Sequence, residues 1–331
     1  MSEQGGVLIV AETINGALAP ISAELAGAGQ RLAAELGTGL AGLLLGSGLD
    51  AAAAGLATLG VGRVLTGDSP ALADLQPDPT VATLAAVVAA EAPSVVLFGH
   101  GADYRESAIR LAYRLGVAIT TDCTSLRVEG GTVIMTKPVY GGAAIGEYAS
   151  DGGPTIATLR PRAFEPADSS GTDPTGVEIS AITLPADLSS RTRLLETVEE
   201  SVGTGPRLKD AKLVVSGGRG VGSPENWPMI EELAGALGAA VGASRAVTDA
   251  GWVPPSHQVG LTGTTISPDL YLTVGISGAV QHIAGCSGSR NIVAINRDAD
   301  ANIFRHARFG VVGDFQKIVP ALTKRIKELR G

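Results

Sequence analysis

Short apolar runs alternate with helical stretches along this chain, and the alternation breaks off once and then restarts. That pattern constrains the fold more than any other feature of the sequence. In the first half, Val7–Ala11, Gly42–Leu45, Arg63–Leu65 and Ser94–Gly99 read as strands. Helical patterns over about Leu18–Leu36, Ala51–Leu59, Asp78 to just before Pro93, and Arg105–Leu115 lie between and after them, with Gly116 as the last stop signal. Such βαβα order argues for a parallel sheet with helices on both faces. From Thr124 to Phe164 the apolar period shortens to two, with Gly130-Gly131 and Gly141-Gly142 as turns, which predicts an antiparallel addition. Glu165 to about Glu178 reads as a loop; the helix-like Arg191–Glu200 and the Gly/Pro segment Val202–Pro206 then place a domain boundary near Gly205. Beyond it, Lys212–Ser216, Ala239–Ala243, Tyr271–Ile276, Asn291–Ile295 and Gly310–Val312 read as strands. Helices are expected at Pro224–Leu237, from about Gly278, and at the end of the chain to Leu329. The expected architecture is α/β with two domains. Residues 1–204 form a partner-contacting parallel-sheet domain with the antiparallel addition, and residues 205–331 a doubly wound, Rossmann-like nucleotide-binding domain.

Composition fits that plan. At about 150 residues per domain, 331 residues make two. Glycine, at 45 residues, is roughly twice its usual share of about 7%. Aromatics are only 4%, so the cores are built from Ala, Val, Leu and Ile. Lys and Arg number 25 against 33 Asp and Glu, a net charge of −8, which speaks against a nucleic-acid binder. The most apolar stretch, Leu36–Leu49, is interrupted by Gly and falls short of the roughly 20 residues of a membrane span. The first positive side chain is Arg31, so no basic signal or transit pattern is visible. Cys123 and Cys286 match no metal or redox spacing, and a reducing, cytoplasmic setting is expected.

Chemistry concentrates in the second half. The strand at Lys212–Ser216 runs into Ser216-Gly-Gly-Arg-Gly-Val-Gly222 and a helix, a turn whose backbone can approach a phosphate. Its spacing is neither a clean G-x-G-x-x-G nor a Walker loop, so alone it is also compatible with a plain βα turn. Position strengthens it, because open α/β sheets bind ligands at the carboxyl ends of their strands. Those ends carry Ser216–Arg219, Ser244-Arg245, Ser277, Asn296 and Asp314, joined by the loops Gln258–Gly263 and Ser277–His282. The second strand ends in Ser244-Arg245, where an NAD site needs an acidic residue; an NADP site could use the Arg. His282 falls in the first turn of a helix, with Ser277 as its expected N-cap.

The segments Ser216-Gly-Gly-Arg-Gly, Gly242-Ala-Ser-Arg-Ala, Asp249-Ala-Gly, Gln258-Val-Gly-x-Thr-Gly263, Gly275–His282 and Ile292–Asn296 together resemble the electron transfer flavoprotein alpha-subunit family. In the first half, Leu115-Gly-Val, Thr121-Asp-Cys-Thr124 and Thr158-Leu-Arg-Pro161 are similar to that family's N-terminal domain. The resemblance implies a heterodimer with a beta subunit, this chain carrying most contacts to one FAD. It implies FAD contacts from Arg219, Ser244 and Arg245, and from Gln258, Val259, Gly260, Leu261 and Thr262. Ser277, Gly278, Ala279, Val280, Gln281 and His282 form a second implied group, and Asn296, Asp314 and Phe315 a third. Arg245 would lie against the isoalloxazine ring, Thr262 near flavin N5 and His282 near flavin O2. Leu261 and Thr264 depart from the family pattern, which has a polar residue and a Lys at those places.

Reduction places negative charge on the N1–C2=O2 edge of a flavin, which a guanidinium and a helix N-terminus would stabilise in a low dielectric. The resemblance also implies the physiological role: electrons from flavin dehydrogenases such as acyl-CoA dehydrogenases, passed to a membrane quinone reductase, by a carrier rather than an enzyme with its own substrate. No metal site, nucleic-acid surface or membrane insertion is expected. Two other readings of the residues stay open: an NADP-dependent oxidoreductase using Arg245 for the 2′-phosphate, and a non-redox nucleotide-binding module. His100, at the end of a strand, reads as loop packing, and His257 and His306 carry no signal. The apolar segment Val139–Ile145 is the candidate partner contact.

Overall fold

The computed structural model describes residues 5–142, 144–169, 174–196 and 206–330. The chain divides into two units, Met1–Pro138 with Ile145–Thr197, and Val139–Ala144 with Val198–Gly331. The expected boundary at Gly205 lies outside the described residues, and Val139–Ala144, expected within the first domain, groups with the second unit.

The first unit opens with β1 (Val7–Ala11), a hairpin of β2 (Thr13–Ile14) and β3 (Ala17–Leu18), then α1 (Pro20–Leu36), β4 (Leu40–Gly46), α2 (Asp50–Ala57) and β5 (Arg63–Asp68). It continues with α3 (Pro77–Glu91), β6 (Val95–Gly99), α4 (Ala102–Leu115) and β7 (Ile119–Cys123). Next come β8 (Ser125–Glu129), β9 (Thr132–Val139), β10 (Ala144–Tyr148), β11 (Thr155–Leu159) and β12 (Glu178–Ala181). A seven-stranded sheet runs β12-β5-β4-β1-β6-β11-β7, every pairing parallel. Its central strand is apolar on both sides, as a sheet covered on two faces demands. Ile9 meets Leu25 and Leu32 of α1 in one layer; Leu8 and Val10 meet Leu84 of α3 and Leu111 of α4 in the other. Proline opens α1 and α3, and left-handed glycines close α1 (Gly37, φ 66°) and α4 (Gly116, φ 69°), as the start and stop signals require.

Several expectations need correction. Ser125–Glu129 and Thr132–Val139 are the antiparallel hairpin, turned at Gly130-Gly131 (φ 58° and 83°), and β10 completes a three-stranded sheet with them. Thr155–Leu159 is not part of it. That segment inserts between β6 and β7 as a parallel strand, because four consecutive buried residues there supply a strand covered on both faces. Glu178–Ala181, where the expected loop ends and which the sequence reading leaves unassigned, is a short and largely exposed edge strand on β5. Arg191–Glu200 is not helical over its described part, 191–196, where Arg191 instead pairs with Asp78. The rest of it lies outside the described residues. The helix expected from about Leu18 starts at Pro20, because Ala17 and Leu18 pair with Thr13 and Ile14 in a hairpin turned at Asn15-Gly16 (φ 52° and 77°).

The second unit holds β13 (Leu213–Gly217), α5 (Trp227–Leu237), β14 (Ala240–Ala243), α6 (Arg245–Asp249) and β15 (Leu270–Val274), then α7 (Val280–Cys286), β16 (Ile292–Asn296), β17 (Phe309–Val312) and α8 (Phe315–Arg330). Its five-stranded sheet runs β14-β13-β15-β16-β17, all parallel. Trp227, Ile230 and Leu233 of α5 and Val319 of α8 pack on Val215, Leu272 and Ile295. Ile283 and Cys286 of α7 cover Val214, Tyr271 and Ala294 on the opposite face. The chain leaves β13 for β14 on one side and returns to β15 on the other, so the winding reverses between β13 and β15.

One buried ion pair ties the ends of β7 and β11. Arg160, 5% exposed, donates from Nε and Nη2 to Asp122 at 2.8 and 2.6 Å. Burial alone would raise the Asp122 carboxyl, but the hydrogen bonds and charge of Arg160 hold it below its usual value. Asp122 sits at φ 64°, a conformation Asn also tolerates. Asp122→Asn therefore removes the charge with little backbone strain and leaves Arg160 without its carboxylate. It is expected to cost about 3 kcal/mol in urea unfolding. Because the carboxyl is depressed in the folded state, its contribution is lost as pH falls below about 4, so the variant's stability changes less across that window. Equal stability of the two proteins at neutral pH would contradict this.

Candidate functional site

A cleft of about 660 Å³ opens at the carboxyl ends of the second unit's strands. Backbone contact forms its floor. After β13 the chain turns through Gly218, Arg219 and Gly220, whose Gly218 and Gly220 amides donate to the carbonyls of Val274 (2.8 Å) and Gly275 (3.0 Å). A Cβ on Gly220 would stand 2.8 Å from Gly275 Cα, and Gly275 itself has φ 65°. The two strand-end loops touch because these positions are glycine.

Around this floor the sequence-predicted residues assemble in part. Arg219, Ser244, Arg245, Gln258, Val259, Gly260, Leu261, Thr262, Ser277, Ala279, Gln281, His282 and Asn296 all line the cleft. The Gln258–Thr264 loop is laced from inside. Thr264 N–H donates to the Gln258 carbonyl (2.7 Å), Gln258 Nε2 donates to Thr262 Oγ1 (2.9 Å), and Thr248 Oγ1 donates to Gln258 Oε1 (3.0 Å). α7 presses on that loop: Leu261 N–H donates to the Gln281 carbonyl at 2.8 Å, and a Cβ on Gly285 would collide with the Gly260 backbone. Asn296 is buried and spent on structure, donating from Nδ2 to the Ile276 carbonyl and accepting from Asp298 N–H.

Four predicted residues stand apart from the lining. Gly278 (φ 79°) makes the turn before α7, and Val280 is 56% exposed beyond it. Asp314 caps α8, its Oδ1 accepting from Gln316 N–H at 3.0 Å, and Phe315 packs into the core under α8. Ser277 is not the cap of α7. Ala279 holds that place, with φ −57°, ψ 147° and no side-chain bond, because the turn at Gly278 puts Ser277 outside the helix. Residues not foreseen join the lining: Asp249, Arg297, Asp298 and Ala301 among them. Asp249 pairs with Arg245 one helical turn away at 3.1 Å, with both side chains largely exposed. That acid was legible only as part of a motif, since the i,i+4 relation needs the helix to be known.

The cleft suits an anionic dinucleotide. Arg219, Arg245 and Arg297 against Asp249 and Asp298 leave one positive charge on the lining of a chain whose net charge is −8. His282 supplies a more specific sign. It is 7% exposed, its Nε2 lies 2.8 Å from Tyr271 Oη, and its Nδ1 is buried with no hydrogen-bond partner in the described structure. A buried ring nitrogen left unsatisfied beside a cleft is what a bound polar group would complete. Tyr271, read from the sequence only as a strand residue, is the functional candidate that escaped notice.

Comparison with known proteins decides the family. The model of the electron transfer flavoprotein domain matches residues 7–186, and that of the electron transfer flavoprotein FAD-binding domain matches residues 207–287. The chain belongs to the electron transfer flavoprotein alpha-subunit family. It is 37% identical to the electron transfer flavoprotein subunit alpha of Thermoanaerobacterium thermosaccharolyticum over 100% of both chains. It is 37% identical to that of Bacillus subtilis, over 98% of both chains, and 40% identical to that of Mycobacterium leprae, over 98% of this chain and 99% of the other. FAD is the cofactor this family's second domain binds, and the cleft's charge and its unsatisfied imidazole fit it.

Burial pushes the His282 imidazole down from 6.5 to about 4, with the Val259 backbone pulling the other way. The ring is neutral at physiological pH. Between those two values the unfolded flavoprotein chain binds a proton that the folded one refuses, so stability falls as pH drops through the window. The loss integrates to about 3 kcal/mol. Urea unfolding of the wild type and of His282→Phe between pH 7 and 4 checks it. The variant's curve is expected to be flatter; parallel curves would show that the ring titrates as in water.

Proposed function

We propose that this chain is the FAD-carrying large subunit of a heterodimeric electron carrier. In this reading it accepts electrons from flavin dehydrogenases, acyl-CoA dehydrogenases among them, and passes them to a membrane quinone reductase of the respiratory chain. It works in the cytoplasm beside a beta subunit, and no helix among the described residues is long and apolar enough to cross a membrane. The observation that carries the reading is the cleft itself: a positively charged, glycine-floored crevice with a buried, unsatisfied imidazole, in a chain similar end to end to proteins named as alpha subunits of such carriers. Support for a partner comes from Tyr140 and Ile145, 83% and 64% exposed in the segment expected to contact it.

FAD supplies reversible one- and two-electron chemistry, and the protein binds and tunes it. Arg219 and Ser244 would hold the phosphates. Arg245 would lie against the ring, with Thr262 near N5 and His282 near O2. Arg245 keeps a fixed positive charge at the site, with Asp249 holding the guanidinium in place and tempering its charge.

Co-expressed with its partner, the protein is expected to carry one FAD and no FMN. Arg245→Ala should retain most of the flavin and lower its midpoint potential by on the order of tens of millivolts, because a cation no longer favours the reduced ring. Redox titration of both proteins decides it. An unchanged potential would mean that the guanidinium faces solvent in the complex, and a colourless protein would remove the flavin reading.

A further inference from the structure

One polar side chain stands beside the cleft without lining it. Thr248, on α6 next to the core residue Val247, is 9% exposed. A hydroxyl so nearly buried costs free energy unless it is bonded, and a valine of the same shape would fill the place without that cost. The Thr248 Oγ1 lies 3.0 Å from the Arg245 carbonyl and 3.0 Å from Gln258 Oε1. Gln258 Nε2 in turn lies 2.9 Å from Oγ1 of Thr262, which is exposed and lines the cleft. Three side chains thus make one chain of hydrogen bonds, from a buried helix position to the cleft.

We propose that Thr248 is a positioning residue for the flavin: through the Gln258 amide it fixes the Thr262 hydroxyl in the cleft, and so tunes the hydrogen bond that Thr262 makes to the ring. This rests on the reading that Thr262 lies near flavin N5.

The linkage does not depend on which way the amide faces. With Oε1 toward Thr248, the Thr248 hydroxyl donates to it and Nε2 donates to Thr262. With the amide turned over, Thr248 donates to the Arg245 carbonyl and accepts from the amide nitrogen, while Thr262 donates to the amide oxygen. Either way both ends of the amide are bonded, and Gln258 bridges the two threonines. The loop backbone does not do this work. Thr264 N–H on the Gln258 carbonyl (2.7 Å) and Gly263 N–H on the Gly260 carbonyl (3.1 Å) close the loop without touching the Thr262 side chain. Gly263 leaves room for the bridge: a Cβ there would stand 2.8 Å from Gln258 Cγ, in the path of the side chain as it folds back over the loop.

Thr248 is the fixed end of this chain. Its N–H is held by the Ser244 carbonyl (3.3 Å) and its carbonyl accepts from Gly251 N–H (2.9 Å), whereas Thr262 stands on an exposed loop. Without the Thr248 hydroxyl, one end of the amide loses the bond that orients it, and Thr262 is held by a side chain free to turn. A hydrogen bond to a ring atom whose electron density changes on reduction differs in strength between the two oxidation states, so loosening it moves the potential.

The test uses the flavin-loaded complex of the full chain with its partner, reconstituted with FAD carrying 15N at N5. In Thr248→Val, which keeps the branched shape and loses the hydroxyl, the flavin's reduction equilibrium is expected to move by about two- to tenfold, in the same direction as in Thr262→Val. The N5 resonance is expected to move toward its position in Thr262→Val. Thr248→Ser, which keeps a hydroxyl, is expected to hold both near the wild type. In the Thr262→Val background, Thr248→Val is expected to change neither any further, because its effect passes through Thr262. A wild-type potential and N5 resonance in Thr248→Val would overturn the proposal. So would a full further shift in the double variant, which would place the effect on Arg245 instead. The Thr262→Val protein separates the two ideas. If it matches the wild type in both measurements, the facing of Thr262 toward N5 is wrong; if it shifts while Thr248→Val does not, only the role of Thr248 falls. Should Thr248→Val fail to fold, Gln258→Met cuts the same chain, and an unchanged potential there would overturn the proposal.

Discussion

The second unit depends on one backbone contact. Where its sheet reverses winding between β13 and β15, the loops leaving those strands are joined by the Gly218 and Gly220 amides on the Val274 and Gly275 carbonyls. Side chains at these glycines would push the loops apart, and the crevice above would lose its floor. Everything functional stands on that joint. Arg219 projects from one loop, Ser277 follows the other, and α7 descends from it to bring His282 back over Tyr271. The glycine excess of the chain is thus partly a requirement for close approach rather than for flexibility.

The crevice combines an exposed cationic rim with a buried neutral ring. Arg245 and Asp249 are both largely exposed, so their pairing is worth little to stability and leaves the guanidinium free to serve a ligand. His282 is different, because burial denies it a second proton at physiological pH. In the proposed reading, charge attraction at the rim would draw in the anionic ends of a dinucleotide, while directional hydrogen bonding inside would orient the ring. This division explains how an acidic chain holds an anionic cofactor: the positive groups need only be local.

Much of this was legible in the sequence, for definable reasons. Parallel strands such as Val7–Ala11 and Leu270–Val274 are covered on both faces and read as short continuous apolar runs. Strand-end residues such as Ser244 and Asn296 follow from the strands, so the cleft lining was largely predictable once the alternation was recognised. Failures came where tertiary context decides. Thr155–Leu159 carries the same apolar signal as a hairpin strand, and only the gap between β6 and β7 makes it parallel. Asp314 lies at a strand end like the others, yet its carboxylate is consumed as the cap of α8. Tyr271 was invisible as a functional residue because an aromatic within an apolar strand looks like core. Its partner is eleven residues away across a turn, a separation that no local periodicity marks.

The central claim is that this crevice binds FAD with its C2 carbonyl turned to His282. Reconstitution of the complex with FAD carrying 13C at C2 and C4 tests it in one NMR experiment. The C2 resonance is expected to lie downfield of free FAD in the wild type and to return most of the way in His282→Phe, with C4 nearly unmoved. A C2 resonance that is the same in both proteins would contradict the account.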